Sequence, residues 1–194
     1  MSSNKISNIN KLKSVNLKNL KELYLGSNEI SDIKVLEKAK FENLEILKLG
    51  DRISNINILE KVNFKKLKIL NLSMNEIADI KVLEYVKFAK LEELDLGCNN
   101  ITDINVLDKV DFKELKELHL QSNQIEDIKI LENIKFYKLK RLHLSGNRIS
   151  DIKIFKNVTL PKLKYLYLVN NRIDKEKNAS LISELKSKIS RLYI

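Results

Sequence analysis

Apolar residues fall along the chain in two alternating rhythms. In stretches such as Glu117–Leu118–His119–Leu120, polar and apolar positions alternate with the period of a half-buried β-strand. Just downstream, Ile125, Ile128, Leu131 and Ile134 recur every three residues. That spacing predicts a 3₁₀ turn or short helix with one side turned inward. Together the two rhythms occupy 24 residues and then begin again. The pattern divides the chain into a half unit at 1–19, units at 20–43, 44–66, 67–90, 91–114, 115–138 and 139–162, a partial unit at 163–173, and a tail at 174–194. The second unit is one residue short. In the tail, Leu181, Ile182, Leu185 and Ile189 stand at helical spacing and predict a helix that caps the last coil. One such strand cannot bury its own apolar face, so stability has to come from stacking the units into a parallel sheet.

Each unit reads L-x-x-L-x-L-x-x-N-x-I, as in "LEELDLGCNNI" from Leu91 and "LKELHLQSNQI" from Leu115. The motif resembles the leucine-rich repeat. Its continuation, Ile-x-x-Ile-x-x-Leu, is similar to the class found in bacterial internalins and in the phosphatase-1 regulatory repeat protein. The resemblance implies an α/β fold: a right-handed leucine-rich repeat solenoid with a parallel β-sheet on the concave side. It also implies 3₁₀ or short α-helical segments on the convex side and a C-terminal capping helix. The function it implies is a non-enzymatic scaffold or adaptor for protein–protein interaction.

The residues at fixed places in the unit carry physical expectations of their own. Phe41, Phe64, Phe88, Phe112 and Phe136 predict a buried aromatic column on the convex side of the core. Asn28, Asn75, Asn99, Asn123, Asn147 and Asn171 fall in the turn after each strand. An amide both donates and accepts, so it can satisfy main-chain groups in its own turn and in a neighbouring coil. In the second unit this column breaks at Asp51, where a carboxylate can only accept, and a local bulge is expected. Asp32, Asp79, Asp103, Asp127 and Asp151 read as turn or helix-start caps. A calcium ladder is the rival reading, but one carboxylate per coil falls short of the six or so oxygens calcium takes.

Outward strand positions define the candidate binding surface. One column is Tyr24, Lys48, Asn71, Asp95, His119, His143 and Tyr167; the other contains Ile46, Ile69, Glu93, Glu117, Arg141 and Tyr165, with Glu22 at its head. The surface is large and open, which suits a protein or peptide better than a small substrate. Ile46 and Ile69 give it an apolar ridge, Glu93, Asp95 and Glu117 an acidic middle, and Lys140, Arg141 and Lys164 a basic end. His119 and His143, the two histidines of the chain, belong on adjacent strands next to Asp95. Asp–His–His has the right ligand types for zinc, but a row on an open sheet does not converge on an ion. Ordinary contact residues are the better reading, and no metal or cofactor is expected.

Lys and Arg number 36 against 26 Asp and Glu, a net charge of +10. Nucleic acid or an anionic membrane surface is therefore an alternative partner. Much of the excess falls on convex lysines such as Lys34, Lys81 and Lys129, where charge usually serves solubility, so nucleic acid is disfavoured. No Gly-rich phosphate loop, metal motif or nucleophile–base pair is present, which argues against an enzyme. A single cysteine, Cys98, and the lack of a signal-like or membrane-length apolar run point to a cytoplasmic setting. The alternative is an extracellular adhesin or receptor-type module, for which sequons such as Asn71 and Asn100 would matter.

Overall fold

The computed structural model describes residues 4–194, so the first three residues of the half unit expected at 1–19 lie outside the described residues. Eight three-residue strands form one parallel sheet in chain order: β1 (Glu22–Tyr24), β2 (Ile46–Lys48), β3 (Ile69–Asn71), β4 (Glu93–Asp95), β5 (Glu117–His119), β6 (Arg141–His143), β7 (Tyr165–Tyr167) and β8 (Arg191–Tyr193). The register sets Leu23, Leu47, Leu70, Leu94, Leu118, Leu142 and Leu166 side by side. All seven are buried, and their neighbours at the two outward positions of each strand form the opposite, solvent-facing surface.

Behind the sheet, the three-residue rhythm becomes 3₁₀ helix in every coil, from Lys34–Glu37 to Lys153–Lys156. The aspartates help to start these segments, one residue earlier than a helix cap. Asp79 Oδ1 accepts the N–H of Lys81 at 2.9 Å, and Asp32, Asp103, Asp127 and Asp151 do the same for the residue two ahead. In the second coil Asn55 takes the role. Each is an Asx turn, which closes the bend by mimicking a main-chain bond.

The asparagines lace the coils together. Asn99 Nδ2 donates to the carbonyls of Leu96 and Gly97 in its own coil and to Leu72 in the coil before. Its Oδ1 accepts the Ile77 N–H at 3.0 Å. Asn123 and Asn147 repeat the pattern on Leu96, Ile101, Leu120 and Ile125. Buried main-chain groups that no strand or helix satisfies find their partners here. The residue before each asparagine bends into the left-handed region: Ser27, Met74, Cys98, Ser122 and Asn170 have φ of 54° to 59°, and Gly146 69°. Cys98 is thus an exposed turn residue.

The short second coil disturbs this turn and leaves the sheet intact. Met74, Cys98, Ser122 and Gly146 each donate a main-chain bond to the next coil's turn. Between the first two coils the Asp51 carboxylate instead accepts the Asn28 N–H. Asp51 has φ 159°, and the register of β1, β2 and β3 runs through unbroken. The expected bulge therefore takes the form of an altered turn.

Phe41, Phe64, Phe88, Phe112 and Phe136 are buried, and the rings of Phe64 and Phe88 stack with centroids 6.2 Å apart. The N-terminal half unit docks on the first coil, with Ile9 buried and Ile6 N–H bonded to Asn28 Oδ1. At the other end, helix α1 (Ala179–Lys188) buries Leu181, Ile182 and Leu185 against the last coil. The chain then returns to the sheet as β8, a strand that the helical spacing of the tail did not disclose.

Candidate functional site

Every residue expected on the outward columns stands there. Parallel pairing brings Ile46 beside Ile69, Glu93 beside Glu117, and Arg141 beside Tyr165. The second column runs Tyr24, Lys48, Asn71, Asp95, His119, His143 and Tyr167 across the same strands. β8 lengthens both columns, setting Arg191 beside Tyr165 and Tyr193 beside Tyr167. The signal for these two was present: Arg191–Leu192–Tyr193–Ile194 repeats the alternation of the earlier strands.

The face divides into three zones along the solenoid. At the N-terminal end, the Tyr24 hydroxyl donates to Glu22 Oε2 at 2.8 Å, and the Lys48 ammonium lies over the Tyr24 ring. The bond to Glu22 holds the Tyr24 phenol above its usual pKa. Ile46 and Ile69 lie beside this corner, half-buried by their neighbours and open to the sheet face.

The middle zone is acidic and internally bonded. Asn71 Nδ2 donates to Asp95 Oδ2 at 2.9 Å, and the Gly97 N–H donates to Asp95 Oδ1. Asp95 is thereby fixed by its own turn rather than aimed at the histidines. His119 Nε2 lies 3.4 Å from Glu117 Oε2, an ion pair only when the imidazole is protonated. Among the described residues, no three His, Cys, Asp or Glu side chains converge as a metal site.

The C-terminal zone is aromatic and cationic. His119 meets His143 edge to face with centroids 6.1 Å apart. His143 packs on Tyr167 at 4.6 Å, and Tyr167 stacks flat on Tyr193, also at 4.6 Å. The row follows the strand spacing of about 4.8 Å, which is also a stacking distance. Desolvation in this row, with His119 adding to it, lowers the pKa of His143; Asp95 opposes the shift. Arg141 lies over the Tyr165 ring at 4.8 Å. Its Nε is 3.1 Å from Glu117 Oε2 without hydrogen-bond alignment, so the contact is an ion pair only. The neighbouring Tyr193 raises the pKa of Arg191 above its ordinary value, and the guanidinium is a permanent cation.

A rim of charges precedes the strands. Lys68 and Glu45 pair at 2.6 Å, as do Lys116 and Glu92. Beyond Lys116 the rim continues with Lys140 and Lys164, both exposed, and no acid alternates with them. A recess of ≈ 680 Å³ lies away from this face on the convex flank among Asp32, Lys34, Asn55 and Asn57. Among the described residues, no helix is long and apolar enough to cross a membrane.

The comparisons agree with this architecture. A family model described as leucine-rich repeats in two copies matches residues 65–109, 89–135, 113–157 and 137–186, and a single leucine-rich repeat matches 16–33. No significant sequence match occurs among the curated proteins. Among solved structures, an internalin of Listeria monocytogenes is 29% identical with a TM-score of 0.78, covering 100% of this chain and 52% of its own. Internalin C2 of the same species is 27% identical with a TM-score of 0.78, covering 100% and 76%. A leucine-rich repeat protein of Leptospira interrogans is 27% identical with a TM-score of 0.72, covering 99% and 53%. The chain thus spans about half the length of the first and third of these relatives. With the family model covering more than half of its length and its coils stacked as that motif requires, the chain belongs to the leucine-rich repeat family.

Proposed function

We propose that the chain is a non-enzymatic binding module that engages a protein partner on its concave sheet face. The observation that carries the proposal is the composition of that face. Ile46, Ile69, Tyr165, Tyr167 and Tyr193 stand there together with Arg141, on a sheet about 34 Å across. Aromatic residues and arginine anchor protein interfaces because they bury much area with few rotamers to lose. A cytoplasmic adaptor remains the reading that the lone Cys98 and the composition of the chain favour.

Affinity capture tests the face directly. Wild type is compared with an Ile46→Asp, Ile69→Asp, Tyr167→Ala variant whose folding is verified by thermal denaturation. The variant is expected to lose partners by roughly tenfold or more, since central anchors carry about 2 kcal/mol or more each. Equal recovery of the same partners by both proteins refutes the concave-face assignment.

A second reading, an extracellular adhesin or receptor-type module, is favoured by the similarity to two internalins. Protease treatment of intact cells separates the two settings, because only a surface-displayed chain is cleaved. The third reading, a basic RNA- or membrane-surface-binding protein, has only the net charge of +10 behind it.

A further inference from the structure

Charge and ring geometry restrict which partner the face can hold, and in which direction. From β6 to β8 the surface carries Lys140, Arg141, Lys164 and Arg191, and among the described residues Arg141 alone of these has a carboxylate within ion-pair distance. Most of the ring faces among them are taken. Tyr167 lies between His143 on one side and Tyr193 on the other, and Arg141 sits on one face of Tyr165. Tyr193, 38% exposed at the end of the row, has one face taken by Tyr167. The edge of an aromatic ring carries positive potential, so edges and cations together favour negatively charged oxygen. Single-stranded nucleic acid, in contrast, binds by stacking bases on free ring faces.

Further along the same face, Glu93 and Glu117 repel acids, and Asp95 is already engaged by Asn71. Beyond them lies the Ile46–Ile69 pair. Resting on the concave-face reading, we infer that the partner is a polypeptide segment that lays carboxylates on β6–β8 and apolar side chains on β2–β3. Its intervening residues are neutral or basic. The unlike ends of the face fix the polarity, because reversing the segment would bring acid to apolar side chains and apolar side chains to the cations. The two contact zones lie between four and five strand spacings apart, about 22 Å, which an extended chain bridges in about six or seven residues.

The test uses fluorescent peptides in anisotropy titrations at about 150 mM salt, where long-range attraction is screened beyond about 8 Å. The first peptide carries two leucines, a spacer of about six lysine and serine residues, and three glutamates; the spacer length follows from the strand spacing. The second has lysines in place of the glutamates, and a uridine oligonucleotide of similar length is the third probe. The first peptide is expected to bind at least roughly tenfold more tightly than the second, as charge complementarity demands. A Lys140→Glu, Lys164→Glu variant should remove that preference, whereas Lys34→Glu, Lys81→Glu, with the same change of net charge on the convex side, should keep it.

Equal binding of the two peptides overturns the inference, as does equal loss in both variants or the absence of saturable binding of the first peptide. Tighter binding of the oligonucleotide overturns it in favour of nucleic acid. If the peptides bind alike while the Ile46→Asp, Ile69→Asp, Tyr167→Ala variant still loses captured partners, the face stands as the site and only the acidic assignment falls.

Discussion

An Asn99→Asp substitution is expected to destabilise the solenoid by at least about 3 kcal/mol, because it strips the buried carbonyls of Leu72, Leu96 and Gly97 of their donor and buries a charge beside them. The change is nearly isosteric, so no cavity explains the loss. In the native coil Asn99 Nδ2 reaches Leu72 at 2.9 Å and Leu96 at 3.0 Å, and the residue is only 7% exposed. A carboxylate would face those same carbonyl oxygens with no proton to offer. Burial raises the new carboxyl's pKa, and protonating it restores one donor, so the deficit should shrink as pH falls from neutral toward the ordinary carboxylate value near 4. Chemical denaturation at two pH values measures both effects. A variant within about 0.5 kcal/mol of wild type at neutral pH would show that the asparagine column is decoration, since that is the range of ordinary surface changes.

Phe88→Ala is expected to cost about 3–5 kcal/mol, the usual loss when a buried aromatic side chain is removed from a packed core. Phe88 is 1% exposed and stacks on Phe64, with Phe112 buried at the corresponding place in the next coil. Tyr85, three residues away and 59% exposed, supplies the control. Its replacement by alanine should lie within about 0.5 kcal/mol of wild type. Similar losses at both positions would mean that the convex phenylalanines are not the spine of the core.

These two substitutions rest on features that the spacing of residues disclosed, and the reason is physical. In a solenoid each coil repeats the same environment, so a residue needed once is needed in every coil. Asn99 and Phe88 are therefore visible as members of columns. Features that occur once lack that support. β8 follows a helix and lies 26 residues after β7, between Tyr165 and Arg191, so it falls outside the 24-residue beat. Spacing marks the aspartates as turn or helix-start caps, and the structure shows the turn form, each accepting the N–H two residues ahead in an Asx turn. At Asp51 the absence of an amide was legible, whereas its consequence, a carboxylate accepting from Asn28, depends on how the turn closes.

The candidate face shows the same division. Alternation alone placed Ile46, Glu117, His143 and Tyr167 outward, because side chains in a strand change sides at every residue. The contacts between them were not legible. Arg141 over Tyr165 and Tyr167 against Tyr193 depend on rotamers and on the eighth strand. Those contacts turn a row of polar residues into a surface of ring edges and cations. The histidine pair illustrates the gain: alternation made His119 and His143 neighbours, and the structure adds that His143 is held toward its neutral form by burial beside Tyr167.

The six tyrosines provide the most direct measurement of where a partner docks. Tyr24, Tyr165, Tyr167 and Tyr193 lie on the concave strands, whereas Tyr85 and Tyr137, 59% and 55% exposed, lie away from them. Hydroxyl-radical footprinting of the captured complex, read by mass spectrometry, compares the two groups within one molecule. Docking on the sheet predicts reduced oxidation of the four concave rings, with Tyr85 and Tyr137 unchanged. Protection of Tyr85 and Tyr137 with the concave tyrosines still fully reactive would contradict the account.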